Sequence, residues 1–546
     1  MTGAPPPAAR NVAEYLLGGK PADRPALHLA HADHTYGELQ DAVRAVACYL
    51  RRQGAVKGER AILVAENSLF WVAAYLGTLE AGMVSVPLPA GTPPEDLHAI
   101  VGITEARVAF VQAAILHRNP GLFRGMHLIT DRETAPIPIA VSQTNWGEVL
   151  ASGAGADTPD SPGDADGLAA LMFTSGSTGA PRGVMVSHRN IIANTESIIA
   201  YLGLTERDRI MDVLPFHYCF GASLLHTHLR AGASIVVDQR FLYPEAVLQR
   251  MIETRCTGFA GVPSHFQILL RNSSLARTAL PHLRYVQQAG GCLAPGFVRQ
   301  LRAALPGTRI FIMYGQTEAT ARLSYLPPEL LDRKPGSIGK GIPGVRLLVL
   351  DESGTSVLPG ETGEIVAAGE NITRGYWRAP AETAATFRNG QLYTGDLATV
   401  DADGFIYIIG RAKDMLKCGG ERVSCRRVEE ELLAVAGVED AAVTGIPDDV
   451  LGEAVQAFLV MRRPACGAAC DWRRCRAFRE QVRTACRQRL PAQLIPRQIV
   501  LTPELPRSSA GKLLKSRLNA PGPLTGADIM TFDEVDKSAA GCAAGL

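Results

Sequence analysis

The feature that most restricts the fold is a recurring alternation. Apolar runs of four or five residues are followed, again and again, by stretches with helical spacing. Ala61-Ile62-Leu63-Val64-Ala65 precedes a helical pattern from Trp71 to Ala81, and Val84-Ser85-Val86-Pro87-Leu88 follows it. Val108-Ala109-Phe110-Val111, Ser234-Ile235-Val236-Val237 and Ile310-Phe311-Ile312-Met313 are runs of the same kind. Such short runs, apolar at nearly every position, describe strands covered on both faces. Interleaved with helices, they predict α/β layers with largely parallel sheets.

Residues 10–50 read as a helix, a short strand and a second helix. Thr35 with Glu38 three residues on forms a capping box that opens the second helix. After about residue 335 the texture changes. Val345–Leu350, Gly363–Ala367 and Phe405–Ile409 are short β-like runs between Gly-rich turns, a β-rich subdomain. Residues 425–435 and 472–490 are helical, the latter with Cys475, Phe478, Val482, Cys486 and Leu490 on one stripe. The tail after about Ala520 is rich in Gly, Ala and Pro and is expected to be disordered. The expected organisation is a large N-terminal domain over 1–410, a small mobile α+β lid over 411–519, and a tail over 520–546.

Composition narrows the class. With 47% hydrophobic and 20% charged residues the chain has ample core and is not globally disordered. A formal charge of +1 argues for neither nucleic acid nor membrane. No apolar run reaches the ~18–20 residues of a bilayer span. Met1–Arg10 lacks the pattern of a signal peptide, and the eleven cysteines are widely spread. The expected setting is cytoplasmic, with reduced thiols. Only nine of the 55 basic residues are lysines, so a retained lysine marks a place where a compact ammonium is wanted.

The strongest local signal is Leu171-Met172-Phe173-Thr174-Ser175-Gly176-Ser177-Thr178-Gly179-Ala180-Pro181-Arg182-Gly183. An apolar strand enters a loop whose hydroxyls and N–H groups can converge on phosphate oxygens. The spacing is not that of a Walker loop. The loop resembles the phosphate-binding motif of the adenylate-forming superfamily: acyl- and aryl-CoA synthetases, nonribosomal-peptide adenylation domains and beetle luciferases. Four further segments follow in that superfamily's order. They are Tyr314-Gly315-Gln316-Thr317-Glu318, Tyr393-Thr394-Gly395-Asp396, Gly410-Arg411-Ala412-Lys413-Asp414 with Lys417 and Gly419-Gly420, and Pro506-Arg507-Ser508-Ser509-Ala510-Gly511-Lys512. The resemblance covers roughly residues 12–518.

The resemblance implies an acid–CoA ligase. A carboxylate attacks the α-phosphate of ATP, giving an acyl-adenylate and pyrophosphate, and a thiol then takes the acyl group. By the same resemblance Thr174, Ser175, Gly176, Ser177, Thr178, Gly179 and Arg182 hold the leaving phosphates. Glu318 ligates Mg²⁺, Thr317 touches the α-phosphate, and Tyr314 stacks on adenine beside Gly290 and Gly291. Asp396 takes the ribose hydroxyls with Arg411 assisting. Lys512 bridges the acid's carboxylate and the α-phosphate. Lys413 is the hinge of the lid, and Lys417, Gly419 and Gly420 serve the thioester-forming pose. The thiol is that of CoA or the phosphopantetheine arm of an acidic acyl carrier protein. A degenerate nucleotide-binding protein is the non-enzyme alternative.

Some positions depart from the family pattern. The phosphate loop ends Pro-Arg-Gly where Pro-Lys-Gly is usual, and Cys425-Arg426-Arg427-Val428-Glu429 lacks the usual Pro and Glu. In Leu214–Gly221, Tyr218 stands where many relatives have His, and His217 is one residue early. His217, Tyr218 and Gly221 fall where the family builds its acid pocket. Residues 216–223 contain no carboxylate to hold an α-ammonium, so an amino acid is disfavoured and an apolar acyl or aryl acid expected. Asn371-Ile372-Thr373 is a sequon without meaning in a cytosolic protein. Residues 462–517 carry 14 basic and three acidic side chains, which suits CoA phosphates or an acidic carrier protein.

Overall fold

The computed structural model describes residues 11–118, 120–135, 140–153, 164–175, 181–412, 415–418, 421–448, 452–461, 476–491, 494–507, 513, 515–518 and 529–531. The chain divides into two compact units, Met1–Leu348 with Val366–Thr394, and Val349–Ile365 with Gly395–Leu546. As the alternation required, the fold is mixed α/β, with a large N-terminal and a smaller C-terminal domain.

The large unit holds two parallel-rich sheets. One runs, neighbour to neighbour, through Lys340–Gly341, Ser324–Leu326, Arg309–Tyr314, Tyr285–Gln288, Gly258–Gly261, Arg209–Asp212, Ser234–Val237, Pro25–His28 and Asp33–Thr35. The other runs through Ser142–Asn145, His127–Thr130, Val108–Val111, Arg60–Val64, Val84–Leu88, Leu168–Ser175 and Pro181–Ser187. Helices Tyr36–Arg52, Leu69–Glu80, His188–Leu202 and Cys219–Ala231 contribute to one large apolar core with residues of both sheets. The Thr35 capping box is present, its hydroxyl accepting from Glu38 N and Glu38 returning to Thr35 N.

The smaller unit is built on a six-stranded sheet. Val438–Asp448 and Gly452–Met461 form its long antiparallel pair, and Gln498–Thr502 adds in parallel. Helices Cys425–Leu433 and Arg476–Arg489 cover it, with Val482, Cys486 and Leu490 buried as the stripe predicted. Cys475 lies outside the described residues. The C-terminal stretch, expected to be disordered, contributes one strand, Ile529–Thr531, on the edge beside Gln498–Thr502. Its Ile-Met-Thr run is a β-forming island that the average composition of the tail conceals.

Helix Cys219–Ala231 is buried along almost its whole length. His226 on it is stacked against Tyr75 of helix Leu69–Glu80, with Tyr75 Oη 3.2 Å from its Nε2. Burial holds His226 down to about 3 and His228, whose Nε2 lies 2.7 Å from the Tyr285 hydroxyl, down to about 4. Both are neutral when folded at pH 7, whereas the unfolded chain protonates them near 6.5. The unfolded state therefore binds more protons below that value, and stability is lost as pH falls. His226→Gln keeps a partner for Tyr75 and removes one such group. It should lose about 3 kcal/mol less stability than the parent between pH 6.5 and 4, read from denaturant midpoints across that range. Identical pH dependence in the two proteins would contradict this.

Candidate functional site

Strands Leu168–Ser175 and Pro181–Ser187 form an antiparallel hairpin with Thr174 opposite Arg182. Gly176, Ser177, Thr178 and Gly179 lie outside the described residues, as does the side chain of Ser175. What the hairpin presents is informative. Thr174 Oγ1 and Arg182 Nε are both buried without a hydrogen-bond partner. The Arg182 guanidinium lies 4.9 Å from the centroid of the Tyr376 ring. Tyr376 is fixed because Gly375–Trp377 runs along the hairpin, with Met185 N donating to Gly375 O and Trp377 N to Gly183 O.

The Tyr376 hydroxyl donates to Glu318 Oε1 at 2.8 Å. Burial, reinforced by that carboxylate, pushes the phenol pKa above its ordinary value, so it remains a donor. Glu318 and Thr317 sit in a one-turn 3-10 helix, Thr317–Ala319, just past strand Arg309–Tyr314. The turn is tight: a Cβ on Gly315 would lie 1.9 Å from Ala321 O. Its backbone is strapped from outside. Asn371 Nδ2 donates to Ala319 O and Arg322 O, and Thr373 N and Oγ1 both donate to Glu318 O. Asn190 Nδ2 in turn holds Glu370 O and Ile372 O. Among the described residues the Thr317 hydroxyl reaches Cys219 Sγ at 3.5 Å, and Gln316 Nε2 is buried without a partner. Tyr314 is half-buried against Ala319, Leu323, Ala367 and Leu392.

A second group gathers at the start of helix Cys219–Ala231. Tyr218 is its N-cap residue, and its hydroxyl lies 3.6 Å from where a Cβ on Gly290 would be. Gly290 has φ +80°, and that same Cβ would meet Val262 Cγ1 at 2.9 Å, so the backbone there approaches closely and stays bare. Gly291 packs on Pro263. Gly221 is glycine for a local reason, since a Cβ would lie 2.2 Å from Pro215 O. His217 Nε2 is buried and unpartnered, and burial holds its pKa down to about 4, so it is neutral at pH 7.

In the smaller unit, Asp396 and Arg411 face each other in register on antiparallel strands Gln391–Val400 and Ile406–Arg411. Arg411 Nε donates to Asp396 Oδ1 at 3.0 Å. Gly395 N donates to Glu364 Oε1. Lys417 lies in strand Met415–Cys418, paired with Arg422, with its side chain outside the described set. Lys413, Gly419, Gly420 and Lys512 are outside the described residues. Part of the positive charge over 462–517 is consumed locally. Arg489, Arg497, Arg507 and Lys515 pair with Glu431, Asp448, Asp440 and Glu429.

Residues 17–377 match the family model of AMP-binding enzymes, and residues 427–512 that of the AMP-binding enzyme C-terminal domain. The chain belongs to the AMP-binding enzyme family. It is 33% identical to a feruloyl-CoA synthase of Amycolatopsis sp, over 89% of this chain and 93% of that one. It is 29% identical to a long-chain-fatty-acid–CoA ligase of Salmonella typhimurium, over 91% of each. The o-succinylbenzoate coenzyme A synthetase of Bacillus subtilis, solved with ATP and a magnesium ion, superposes with a TM-score of 0.79 at 26% identity, covering 93% of this chain and 99% of that one. The resemblance to adenylate-forming enzymes therefore stands. The residues of this AMP-binding enzyme suit a nucleotide polyphosphate, because Thr174 Oγ1, Arg182 Nε and Gln316 Nε2 are buried donors with bonds still to make.

Sequence reasoning overlooked Tyr376, Asn190, Asn371 and Thr373. The sequon Asn371-Ile372-Thr373 is a strap, with Asn371 2% exposed and out of reach of any glycosyl transfer in the folded chain. Replacing Asn371 with Leu removes one donor from each of the Ala319 and Arg322 carbonyls, which keep Ala321 N and Asn194 Nδ2, at a cost of about 1 kcal/mol per bond lost. The melting temperature should fall and amide exchange across 315–322 should quicken; unchanged exchange there would refute the strap.

Proposed function

We propose that this family member is an AMP-forming acid–CoA ligase whose chemistry is performed by the motif residues. The observation carrying this reading is the run Arg182–Tyr376–Glu318, flanked by buried donors that lack partners. A protein leaves such donors unsatisfied at a cost, and an anion that arrives with ATP offsets it.

In the first half-reaction an oxygen of the acid's carboxylate bonds to the α-phosphorus of ATP, and the bond to the β-phosphate oxygen breaks. Pyrophosphate leaves with its electron pair. Thr174, Ser175, Gly176, Ser177, Thr178, Gly179 and Arg182 bind that departing group through hydroxyl, backbone N–H and guanidinium donors. Thr317 donates to the α-phosphate, and Tyr314 offers its ring to the adenine next to Gly290 and Gly291. Asp396, fixed by Arg411, accepts from the ribose hydroxyls. Lys512 supplies the ammonium that offsets two like-charged reactants as they meet. Neutral His217 and the Tyr218 hydroxyl orient the acid. Glu318 would hold Mg²⁺, which when bound supplies Lewis-acid neutralisation of phosphate charge.

In the second half-reaction the thiolate of CoA bonds to the acyl carbon and AMP leaves. Lys413 is the backbone joint that lets the chain following it, the lid expected over 411–519, change pose between the steps. Lys417, Gly419 and Gly420 border the path of the pantetheine arm, where two glycines leave the backbone bare. The net charge of +11 over 462–517 also favours a second acceptor, an acidic carrier protein bearing the same arm. Turnover with free CoA, compared with turnover on a loaded carrier, separates the two. Buried thiols at Cys48, Cys256, Cys418 and Cys486 suit a cytoplasmic setting.

Pyrophosphate release over a panel of acids tests the reading, which needs acid-dependent release with AMP as co-product. Lys512→Ala should cut acid-dependent ATP–pyrophosphate exchange by about 10³-fold with little change in melting temperature; exchange near the parent rate would remove Lys512 from the mechanism. Lys413→Pro should spare exchange and slow thioester formation. Equal loss of both half-reactions would argue against a joint at that position.

A further inference from the structure

Away from the phosphate hairpin, unmade hydrogen bonds concentrate a second time. Arg322 is 1% exposed, and its Nε and Nη2 have no hydrogen-bond partner. Among the described residues no carboxylate pairs with it. Its guanidinium carbon lies 4.8 Å from the centroid of the Phe220 ring, and it faces the Tyr201 hydroxyl, which donates to Met313 Sδ. Gln287 is 0% exposed, and both its Nε2 and its Oε1 are unpartnered.

These two side chains share one layer. Gln287 points to the same side of its strand as Tyr285, two residues earlier. Tyr285 bonds His228 Nε2 of helix Cys219–Ala231 at 2.7 Å, so this side of the sheet looks at that helix. Gln287 pairs in register with Phe311, whose ring meets those of Tyr201 and Tyr325. Arg322 lies against Tyr201 and Phe220. The elements that carry this layer, helix Cys219–Ala231 and strand Tyr285–Gln288, also lead to the candidate acid pocket. Phe220 is two residues beyond Tyr218, and Gln287 is three before Gly290.

A fully buried guanidinium without a counter-charge is a costly arrangement. The face of Phe220 compensates it only in part. An amide with both ends unsatisfied in the same layer, linked to it through Phe311 and Tyr201, adds a donor and an acceptor of the kind that completes an oxyanion site. Nothing in the phosphate-binding chemistry uses either residue. We propose that Arg322, with Gln287, receives an oxyanion at the far end of the acid, so that the preferred substrates carry a second carboxylate or equivalent anionic group. The inference rests on the acid–CoA ligase reading and deepens it. It also revises the apolar acyl or aryl acid expected from residues 216–223 by adding a charge at its far end.

The test compares length-matched pairs: straight-chain acids with and without a terminal carboxylate, and benzoates with and without a second ring carboxylate. Acid-dependent pyrophosphate release is measured for the parent and for Arg322→Met, which keeps bulk and removes charge. The parent should favour at least one doubly charged acid over its plain partner by about 10²-fold in kcat/KM, and Arg322→Met should erase that preference while plain acids gain. If the parent turns over plain acids as well as or better than every charged partner, the proposal is overturned and acid activation stands. If a preference exists but persists in Arg322→Met, Arg322 is not its source and the proposal is likewise overturned. If no acid of any kind releases pyrophosphate, the ligase reading falls and the proposal with it. The comparison within the parent protein needs no variant to fold.

Discussion

The turn after strand Arg309–Tyr314 closes because residue 315 has no side chain, since any Cβ there would collide with Ala321 O at 1.9 Å. From that closure the geometry of the site follows. Asn371 and Thr373 occupy the turn's carbonyls, which leaves the side chains of Thr317 and Glu318 to face outward from a fixed backbone. Glu318 then meets Tyr376, and Tyr376 supports Arg182 from below. A carboxylate and a guanidinium contributed by distant parts of the chain are thereby held by one phenol, before any ligand arrives. Such preorganisation is what makes fixed dipoles effective on developing charge.

The distribution of unsatisfied groups carries the second lesson. Native interiors rarely leave buried donors unpaired. Here Thr174, Arg182, Gln316 and His217 do so in segments that the motifs mark, and Arg322 with Gln287 does so beside them. Each sacrifices folding stability, by an order of about 1–3 kcal/mol per group. Shared stacking on Tyr376 and Phe220 offsets part of it. The residual deficit is where ligand binding gains.

Much of the architecture was legible in the sequence. Strands Val84–Leu88, Val108–Val111 and Ser234–Val237 coincide with apolar runs, because a strand covered on both faces writes a continuous signal. The capping box at Thr35 and the stripe at Val482, Cys486 and Leu490 were readable for similarly local reasons. The motif segments were legible as a set through their order. Strand Pro181–Ser187 was not, since Pro, Arg and Gly open it and its pairing is set by the hairpin. Nor was the strap: Asn371 acts on carbonyls some fifty residues earlier, a relation no local pattern encodes. Arg322 was hidden by composition. In a chain with nine lysines among 55 basic residues, one more arginine signals nothing until its burial is seen. Tyr376 follows Gly375, whose Cβ would strike Thr383, a packing constraint that also needs the third dimension.

The central claim is that a carboxylate oxygen of the acid becomes bonded to the α-phosphorus of ATP. It is tested most directly by supplying a free acid that the enzyme turns over, labelled with ¹⁸O in its carboxylate, together with ATP and CoA, and weighing the nucleotide product by mass spectrometry. The account predicts AMP carrying one labelled oxygen, left behind when the thiol takes the acyl group. Unlabelled AMP, or label recovered in inorganic phosphate beside ADP, would contradict it.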